Sequence, residues 1–284
     1  IMGEDTNLPS TVVFDHPTVR DLANFLAPEQ ETPAVMIDGH RPMLLDSTVR
    51  LACLQSALPG GVRGMSNAWH FVSTTSNAFM TSPAARWDSN GGAVSYGAFL
   101  RSIELFDNVT FAITAPEVAT MDPQQRQLLE LSYLALHGAG LPRNELKDSN
   151  TAVFVGVMAQ EFGFVLPMYN AYAMTGTGHA FACGRLSYVL GLHGACVTID
   201  VACSAALAAC HSAHRAVQMH DTHDALVAGV NMMFVPSTLE GYAAAGLTSS
   251  LGKAFVFDSR AVCARAAHGA HNEFLTPLCI SDHL

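Results

Sequence analysis

Apolar residues follow distinct periods along this chain, and each period predicts a different kind of element. Residues 151–157 and 197–201 are short runs rich in β-branched side chains, which is typical of buried strands. Beyond the second run, small residues recur every three or four positions, as one face of a helix does. That face consists of Ala205, Ala208, Ala209, Ser212, Ala213 and Ala216.

Further strands and helices are predicted around these segments. Pro123 suits the first turn of a helix over 123–137, and another helix is predicted over 180–190. Additional strands are predicted over 49–53 and 225–230, and Pro59-Gly60-Gly61 predicts a turn. Because strands alternate with helices, we expect an α/β layer fold with a largely parallel or mixed sheet.

The amino-terminal segment has a different pattern. Apolar residues after Pro17 share one helical face, so a short helix is predicted within 12–26. Residues 27–33 place two prolines among polar side chains, which is typical of a linker. We therefore expect a domain boundary near 28–48.

Composition and charge exclude several function classes. Hydrophobic residues make up 50% of the 284 positions, enough for one large globular domain or two ordinary ones. The formal net charge of −10 argues against a nucleic-acid backbone or an anionic membrane surface as partner. Charged residues make up only 13%, against roughly 25% in an average soluble domain, which indicates a subunit or interdomain interface.

The cysteines and the amino terminus bear on location. The seven cysteines form an odd set without a Cys-x-x-Cys pair, which favours a reducing compartment. The amino terminus has neither a basic head nor an apolar signal core, and no apolar stretch approaches the ~20 residues that span a bilayer. A cytoplasmic location is expected, a plastid is not excluded, and the start on Ile1 suggests a fragment.

Cys203 is the candidate nucleophile. It stands where the predicted strand stops and the predicted helix begins, and small neighbours such as Ala202 and Ser204 allow a tight turn there. Unpaired N–H groups and the positive dipole end at a helix start favour thiolate over thiol. The alternative is a buried core cysteine, the commoner role of a free thiol.

Other candidate sites carry weaker signals. Residues 175–178 resemble a phosphate loop only superficially, and a structural turn is the favoured interpretation. Histidine pairs could share a helix face and hold zinc, but no third ligand accompanies them, so solvated or partner-facing histidines are favoured and no metal site is predicted. These pairs are His211 with His214 and His220 with His223. Met232-Met233 is interpreted as core packing.

One further motif decides the family resemblance. Residues 121–130 read Met-Asp-Pro-Gln-Gln-Arg-Gln-Leu-Leu-Glu, which by itself indicates a helix start capped by Asp122. Together with the Cys203 segment, this stretch resembles the β-ketoacyl synthase family, specifically the ketosynthase domains of type I polyketide synthases. More matches follow in order over roughly 49–261: Leu58–Gly61, Ala85–Asp88, Phe106-Asp107, Phe154–Gly156, Gly184–Tyr188, Asp200–Leu207, Ala228–Asn231 and Phe257-Asp258.

The resemblance implies a fold and an activity. The fold is the amino-terminal half of a thiolase-like layered α/β fold, and the activity is that of an acyltransferase of polyketide or fatty-acid assembly. Cys203 would accept an acyl group from a phosphopantetheine thioester for decarboxylative Claisen condensation with a malonyl-type extender. The family takes two further catalytic histidines from its carboxyl-terminal half, at distances beyond Leu284, so this chain alone is expected not to complete condensation.

The resemblance also implies domains and partners. Residues 8–18 look like the end of an acyl carrier domain, so 1–28 is expected to be a carrier remnant, 29–48 a linker, and 49–284 the ketosynthase half with an atypical tail from about 262. Ser10 is not the serine that bears phosphopantetheine. No cofactor is expected to bind directly, because substrates arrive on a carrier's phosphopantetheine. Expected partners are acyl carrier and acyltransferase domains of the same megasynthase, with homodimerisation through the ketosynthase.

Two other functions stay open at this point. A truncated chain could act as a non-catalytic docking or scaffolding fragment, and a large apolar face is expected where the second half should dock. A thiol hydrolase would also place its nucleophile at a strand-to-helix turn, but Val201 and Ala205 occupy the positions where that motif has glycines.

Overall fold

The computed structural model describes residues 49–74, 76–87, 96–158, 161–166, 170–245, 247–249 and 274–282. The predicted amino-terminal helix, the carrier remnant, the linker, and the motif at Phe257-Asp258 lie outside these ranges. Among the described helices, none has the length and apolar character needed to pass through a membrane.

The described strands and helices follow one another in this order: β1 (Arg50–Leu54), β2 (Ala57–Leu58), β3 (Val62–Arg63), α1 (Met65–Ser73), β4 (Met80–Thr81), β5 (Tyr96–Gly97), α2 (Ala115–Thr120), α3 (Pro123–Gly138), α4 (Arg143–Leu146), β6 (Ala152–Val157), α5 (Phe162–Val165), α6 (Ala173–Thr177), α7 (Ala180–Leu190), β7 (Cys196–Ile199), α8 (Ala205–Gln218), β8 (Asp224–Asn231), α9 (Pro236–Ala244) and β9 (Phe274–Ser281). A 3₁₀ turn occupies Pro59–Gly61, as the sequence predicts. The predicted strands at β1, β6 and β8 and the predicted helices α3, α7 and α8 are confirmed to within two residues at either end.

One mixed sheet organises most of these elements, and β4 and β5 pair in a separate two-stranded sheet. Its strand order is β3-β2-β9-β8-β6-β7, and β1 also pairs with β9. Strands β6, β7 and β8 run parallel, whereas β9 is antiparallel to β8, β1 and β2. The expectation of a mixed sheet in an α/β layer fold is confirmed.

Helices cover both faces of the sheet, and the alternation along β6 shows how. Val153, Val155 and Val157 point into a core shared with α3 and α7. Ala152 and Phe154 point to the opposite face and pack against α8. This period of two is that of a strand buried on both sides, and it makes β6 the central support for the loops at its carboxyl end.

Strand β7 corrects one prediction. The sequence predicts a buried strand over 197–201, but the strand is Cys196–Ile199, it is the last strand of the sheet, and Val197 is 39% exposed. Its β-branched residues favour a strand, which is why the strand itself was predicted. Whether that strand is buried depends on which strands and helices pack beside it, and β-branched residues alone do not show this.

Strand β9 is not predicted by the sequence at all. It lies between β8 on one side and both β1 and β2 on the other, and its Leu275 and Cys279 are fully buried. Pro277 argues against a central strand because it cannot donate a ladder hydrogen bond. The N–H and C=O groups of one strand residue point to the same side. The Pro277 carbonyl accepts from the Gln55 N–H at 2.8 Å, at the junction between β1 and β2. The proline therefore lacks its N–H on that side, and its pairing with β8 on the other side is preserved.

Candidate active site

Cys203 lies exposed in the turn that joins β7 to α8. Ser204 is the residue before the first turn of α8, so Cys203 precedes the helix by two positions. Ala202 has a φ of +53°, a left-handed conformation that is strained for an L residue. The predicted placement of a reachable thiol between strand and helix is confirmed, although Cys203 lies just outside the first helical turn.

Short hydrogen bonds hold this turn in place. The Asp200 carboxylate accepts from the Ala202 N–H at 3.0 Å. The Ser204 hydroxyl donates to the Val201 carbonyl at 2.8 Å, and the Ala205 N–H donates to the Ala202 carbonyl at 3.0 Å. These bonds stabilise the left-handed residue next to Cys203 and thereby fix where the thiol sits.

The start of α8 lies directly against strand β6 at Gly156. A Cβ added at Gly156 would come within 2.5 Å of the Ala205 carbonyl carbon. Ala205, Ala209 and Ala213 are buried towards the sheet, so the small face predicted from the sequence is the face that packs. Small residues on both sides allow a close approach of helix and strand, and that approach positions the Cys203 turn.

A cavity of about 430 Å³ opens beside Cys203. Its volume is within the range of small-molecule sites, and most of its wall is apolar. Asn231 and Tyr242 contribute polar groups. The other lining residues are Gly156, Val157, Met158, Ala202, Ala205, Ala206, Val230 and Leu247.

Three of the sequence motifs converge on this cavity. Gly156 ends the motif in β6, Asn231 ends the motif in β8, and Cys203 comes from the turn after β7. The carboxyl ends of these three parallel strands meet at one edge of the sheet, where ligands bind in open α/β sheets. The motifs are far apart along the chain, and the parallel pairing brings them together.

Tyr242 belongs to this site although the sequence analysis does not single it out. Its hydroxyl donates to Met158 Sδ at 3.7 Å. Burial raises the pKa of the Tyr242 phenol, and electrostatic repulsion from the neighbouring acidic groups, Glu161 first, raises it further. The phenol is therefore neutral at neutral pH and is a donor in the cavity wall. Met158 follows β6, whereas Tyr242 and Leu247 lie at and just after the end of α9, so no spacing pattern could have grouped all three.

Asp122 has a structural role in the motif that starts α3. Its side chain accepts from the Gln124 N–H at 2.7 Å, which confirms the predicted helix cap. Burial raises the pKa of the Asp122 carboxyl to about 6, although hydrogen bonds from Gln124 lower it. The Gln124 side chain in turn accepts from the Met232 N–H at 3.2 Å. This end of α3 is thereby tied to the end of β8.

Arg185 completes the support around α3. Its Nε donates to Gln125 Oε1 at 2.7 Å, and its Nη1 lies 2.5 Å from Glu117 Oε1. The Gln125 amide donates to the Thr175 carbonyl at 3.2 Å. These residues join α2, α3, α6 and α7, and none of them lines the Cys203 cavity. The motif residues around 122–126 therefore position elements around the site rather than contacting it.

The phosphate-loop resemblance at 175–178 is not supported by the structure. Residues 173–177 form the short helix α6 rather than the predicted turn. A Cβ added at Gly176 would collide with the Thr120 carbonyl, so this glycine is needed for packing.

The histidine pairs do not assemble into a metal centre in the described part of the chain. His220 and His223 each place Nδ1 3.5 Å from Asp282 Oδ2. The two imidazoles approach one carboxylate oxygen, and across the described ranges no group of three or more His, Cys, Asp or Glu side chains has an arrangement that could hold a metal ion. His211 and His214 are exposed on α8, as the favoured interpretation expects, while Met232 and Met233 pack in the core.

Comparison with known proteins then decides the family. The model of the β-ketoacyl synthase amino-terminal domain matches residues 48–270. The chain belongs to the β-ketoacyl synthase family. This confirms the resemblance drawn from the ordered motifs.

Curated relatives of this ketosynthase chain are polyketide synthases. A phenolphthiocerol/phthiocerol polyketide synthase of Mycobacterium tuberculosis is 38% identical over 218 residues, covering 72% of this chain and 14% of the relative. Erythronolide synthase EryA3 of Saccharopolyspora erythraea is 33% identical over 273 residues, covering 89% of this chain and 9% of the relative. The chain thus spans a small fraction of the relatives it matches.

A solved structure supports the same fold. The ketosynthase from module 6 of the bacillaene synthase of Bacillus subtilis 168 superposes with a TM-score of 0.73 at 27% identity. The match covers 82% of this chain and 40% of that ketosynthase. The expected thiolase-like fold is confirmed.

Proposed function

We propose that Cys203 is the acyl acceptor of a polyketide ketosynthase. Its thiolate attacks the carbonyl carbon of an acyl-phosphopantetheine thioester, the new carbon–sulfur bond forms, and the pantetheine sulfur leaves and takes up a proton. One thioester replaces another, so this exchange is close to energetically balanced. The position of the exposed thiol at the mouth of the apolar cavity is the observation that carries the proposal.

The cavity and the turn supply what acyl loading requires. An apolar volume of about 430 Å³ can hold an alkyl chain away from water. The N–H groups of Ala202, Ser204 and Ala205 already donate within the turn, so the backbone N–H of Cys203 itself is the proposed donor to the oxyanion that forms at the thioester carbonyl. The neutral phenol of Tyr242 adds a donor at the wall of the same cavity.

Condensation requires additional hydrogen-bond donors beyond those that line this cavity. Decarboxylation of a malonyl-type extender generates an enolate whose thioester oxygen needs hydrogen-bond donors. No histidine from the described ranges lines the Cys203 cavity. We therefore propose that Cys203 performs acyl loading and that carbon–carbon bond formation uses the two histidines that the family takes from its carboxyl-terminal half.

The proposed partners follow from this role. Substrates are delivered on the phosphopantetheine of an acyl carrier domain, and acyltransferase and other domains of the same megasynthase act alongside, in the cytoplasm. Residues 1–28 are the proposed end of such a carrier domain, 29–48 the linker, and 49–284 the ketosynthase half with its atypical tail from about 262.

The outer surface of the Cys203 region supports docking of a second half and of a second copy. Leu207 is 73% exposed on α8, Leu247 is 64% exposed, and Val201 is 49% exposed beside Cys203. Among the described strands β7 ends the sheet, so its outer backbone edge can pair with another strand. We propose that this surface takes the carboxyl-terminal half and that two ketosynthases associate along the β7 edge. Mass measurement by light scattering should show a dimer, and a monomer at micromolar concentration would contradict that association.

Acyl transfer is tested by incubating the protein with an acyl-pantetheine thioester and locating the adduct by peptide mass spectrometry. The acyl group should appear on Cys203 and disappear in Cys203→Ala. Cys210→Ala is the matched control, since Cys210 is a half-buried thiol on α8 outside the cavity. Labelling spread over several cysteines would reject the proposed nucleophile. A folded protein without any adduct would favour the docking or scaffolding alternative.

A further inference from the structure

Two other cysteines, Cys183 and Cys196, lie near each other between α7 and β7, on the amino-terminal side of the Cys203 turn. The side chains of Cys183 and Cys196 are close enough to interact electrostatically. Cys183 lies on α7, and Cys196 is the first residue of β7. The Thr198 hydroxyl donates to Cys183 Sγ at 3.0 Å. Side chains two apart on a strand share a face, so Cys196 and Thr198 both point towards α7 rather than along the free edge of the sheet.

The two thiols differ in access to solvent. Cys196 is exposed, whereas Cys183 is 4% exposed and its thiol donates to the Ala180 carbonyl at 3.4 Å. Burial raises the pKa of the Cys183 thiol to about 11, so it is protonated at neutral pH. An oxidant from solution therefore meets Cys196 first, and Cys183 is held beside it as the second thiol.

A second cysteine pair gives an internal comparison. Cys53 and Cys279 face each other across β1 and β9. Cys279 is fully buried, and burial raises the pKa of its thiol to about 12. Cys53 is only partly exposed, and its sulfur packs closely against Gly138. Both members of this pair are less accessible than Cys196, so a small oxidant should react there more slowly.

We propose that Cys183 and Cys196 form a reversible disulfide that crosslinks α7 to β7 when the protein meets a small-molecule disulfide. With oxidised glutathione, the Cys196 thiolate attacks one sulfur of the oxidant and releases one glutathione thiolate. Cys183 then gives up its proton and its sulfur attacks the Cys196 sulfur, which releases the second glutathione as a thiol. Two protein thiols are oxidised, and one glutathione disulfide is reduced to two thiols.

The crosslink lies close to the reactive turn without using its thiol. Strand β7 ends at Ile199, and Cys203 follows in the next turn. A bond between Cys183 and Cys196 fixes the base of that strand against α7 and leaves Cys203 free to react. The modification is therefore independent of acyl transfer, and a test of it reads a covalent bond rather than an activity.

The test incubates the reduced full chain with oxidised glutathione under native conditions. Remaining thiols are blocked with iodoacetamide, and the protein is digested without reductant for mass spectrometry. We expect a joined peptide pair carrying Cys183 and Cys196, lighter by two hydrogen atoms and separated by a reductant. Cys203, which is also exposed, should carry either the alkyl group or a single glutathione and should not be joined to another cysteine of the chain.

Variants distinguish this disulfide from general oxidation. In Cys183→Ala, a mixed disulfide with glutathione should accumulate at Cys196, because no second thiol resolves it. In Cys196→Ser, a surface change that leaves the core intact, Cys183 should remain free. The control Cys53→Ser should leave the crosslink unchanged. Pairing of Cys196 with Cys203, bonding of Cys196 to Cys196 of another chain, or alkylation of both thiols after oxidation would overturn the proposal.

Discussion

Gly156 and Ala205 are in contact where strand β6 passes beneath the first turn of α8. A Cβ at Gly156 would lie 2.5 Å from the Ala205 carbonyl carbon and 2.6 Å from its oxygen. Real Cβ atoms do not come this close to backbone, so only glycine permits this approach. The contact fixes the height of α8 above the sheet, and with it the position of Cys203 at the cavity.

Gly156→Ala should push the start of α8 away from β6. Overpacking of this kind costs about 1–3 kcal/mol, and it should also change the rate at which iodoacetamide alkylates Cys203. Denaturant unfolding and timed alkylation measure the two effects. Gly184→Ala is the control, because nothing lies within 4 Å of an added Cβ on that helix and alanine favours helix by up to about 1 kcal/mol. Equal stability changes in both variants would contradict the proposed contact.

Ala206→Leu should narrow the Cys203 cavity, because Ala206 lines its wall. Transfer of a long acyl group to Cys203 should fall at least about tenfold while acetyl transfer is nearly retained, since a lost fit of about 1.4 kcal/mol corresponds to a factor of ten. Competition between acetyl and octanoyl pantetheine thioesters, quantified by mass spectrometry, measures the ratio. Ala208→Leu, on the same helix but outside the cavity wall, should leave the ratio unchanged. An unchanged ratio in Ala206→Leu would show that acyl chains bind elsewhere.

Ionisation of the buried Asp122 carboxyl should lower the free energy of unfolding as pH rises. Burial raises the pKa of its carboxyl from 3.8 to about 6, so between these values the folded chain holds a proton that the unfolded chain has released. The free energy of unfolding should therefore fall by roughly 3 kcal/mol across this window, since one pKa unit corresponds to about 1.4 kcal/mol. Urea unfolding of the wild type and of Asp122→Asn at several pH values gives the comparison.

The Asn variant cannot ionise at this position, so the wild type should lose stability relative to it as pH rises from about 4 to about 7. A difference between the two proteins that stays constant over this range would show that Asp122 does not titrate there.

Arg185→Ala should destabilise the fold by about 3 kcal/mol, because it leaves Glu117 and Gln125 without their guanidinium partner in a largely buried setting. Arg185→Lys should restore only part of this, since lysine cannot donate to both partners with one planar group. Thermal and denaturant unfolding measure the loss. The control is His193→Ala, whose ion pair with Asp148 is exposed and should change stability by less than about 1 kcal/mol. Similar losses of stability in Arg185→Ala and His193→Ala would contradict the role given to Arg185.

Local patterns predicted the elements whose environment matches their own propensity. The apolar run of β6 is buried on both faces, and the alanine-rich face of α8 packs on the sheet, so periodicity alone located both. The same reasoning was wrong about β7, whose β-branched residues form an edge strand. It also missed β9, because Pro277 argues against a central strand unless its missing N–H faces a gap in the ladder.

The family, the order of the motifs and the candidate thiol could all be read from the sequence, because a nucleophile between a strand and a helix leaves a local signature. Tertiary contacts were needed to show that Gly156, Asn231 and Cys203 share one cavity with Tyr242, and that Cys183 faces Cys196. These contacts join residues far apart in the chain. Strand pairing and helix packing bring them together, and no local period encodes which distant segments will meet.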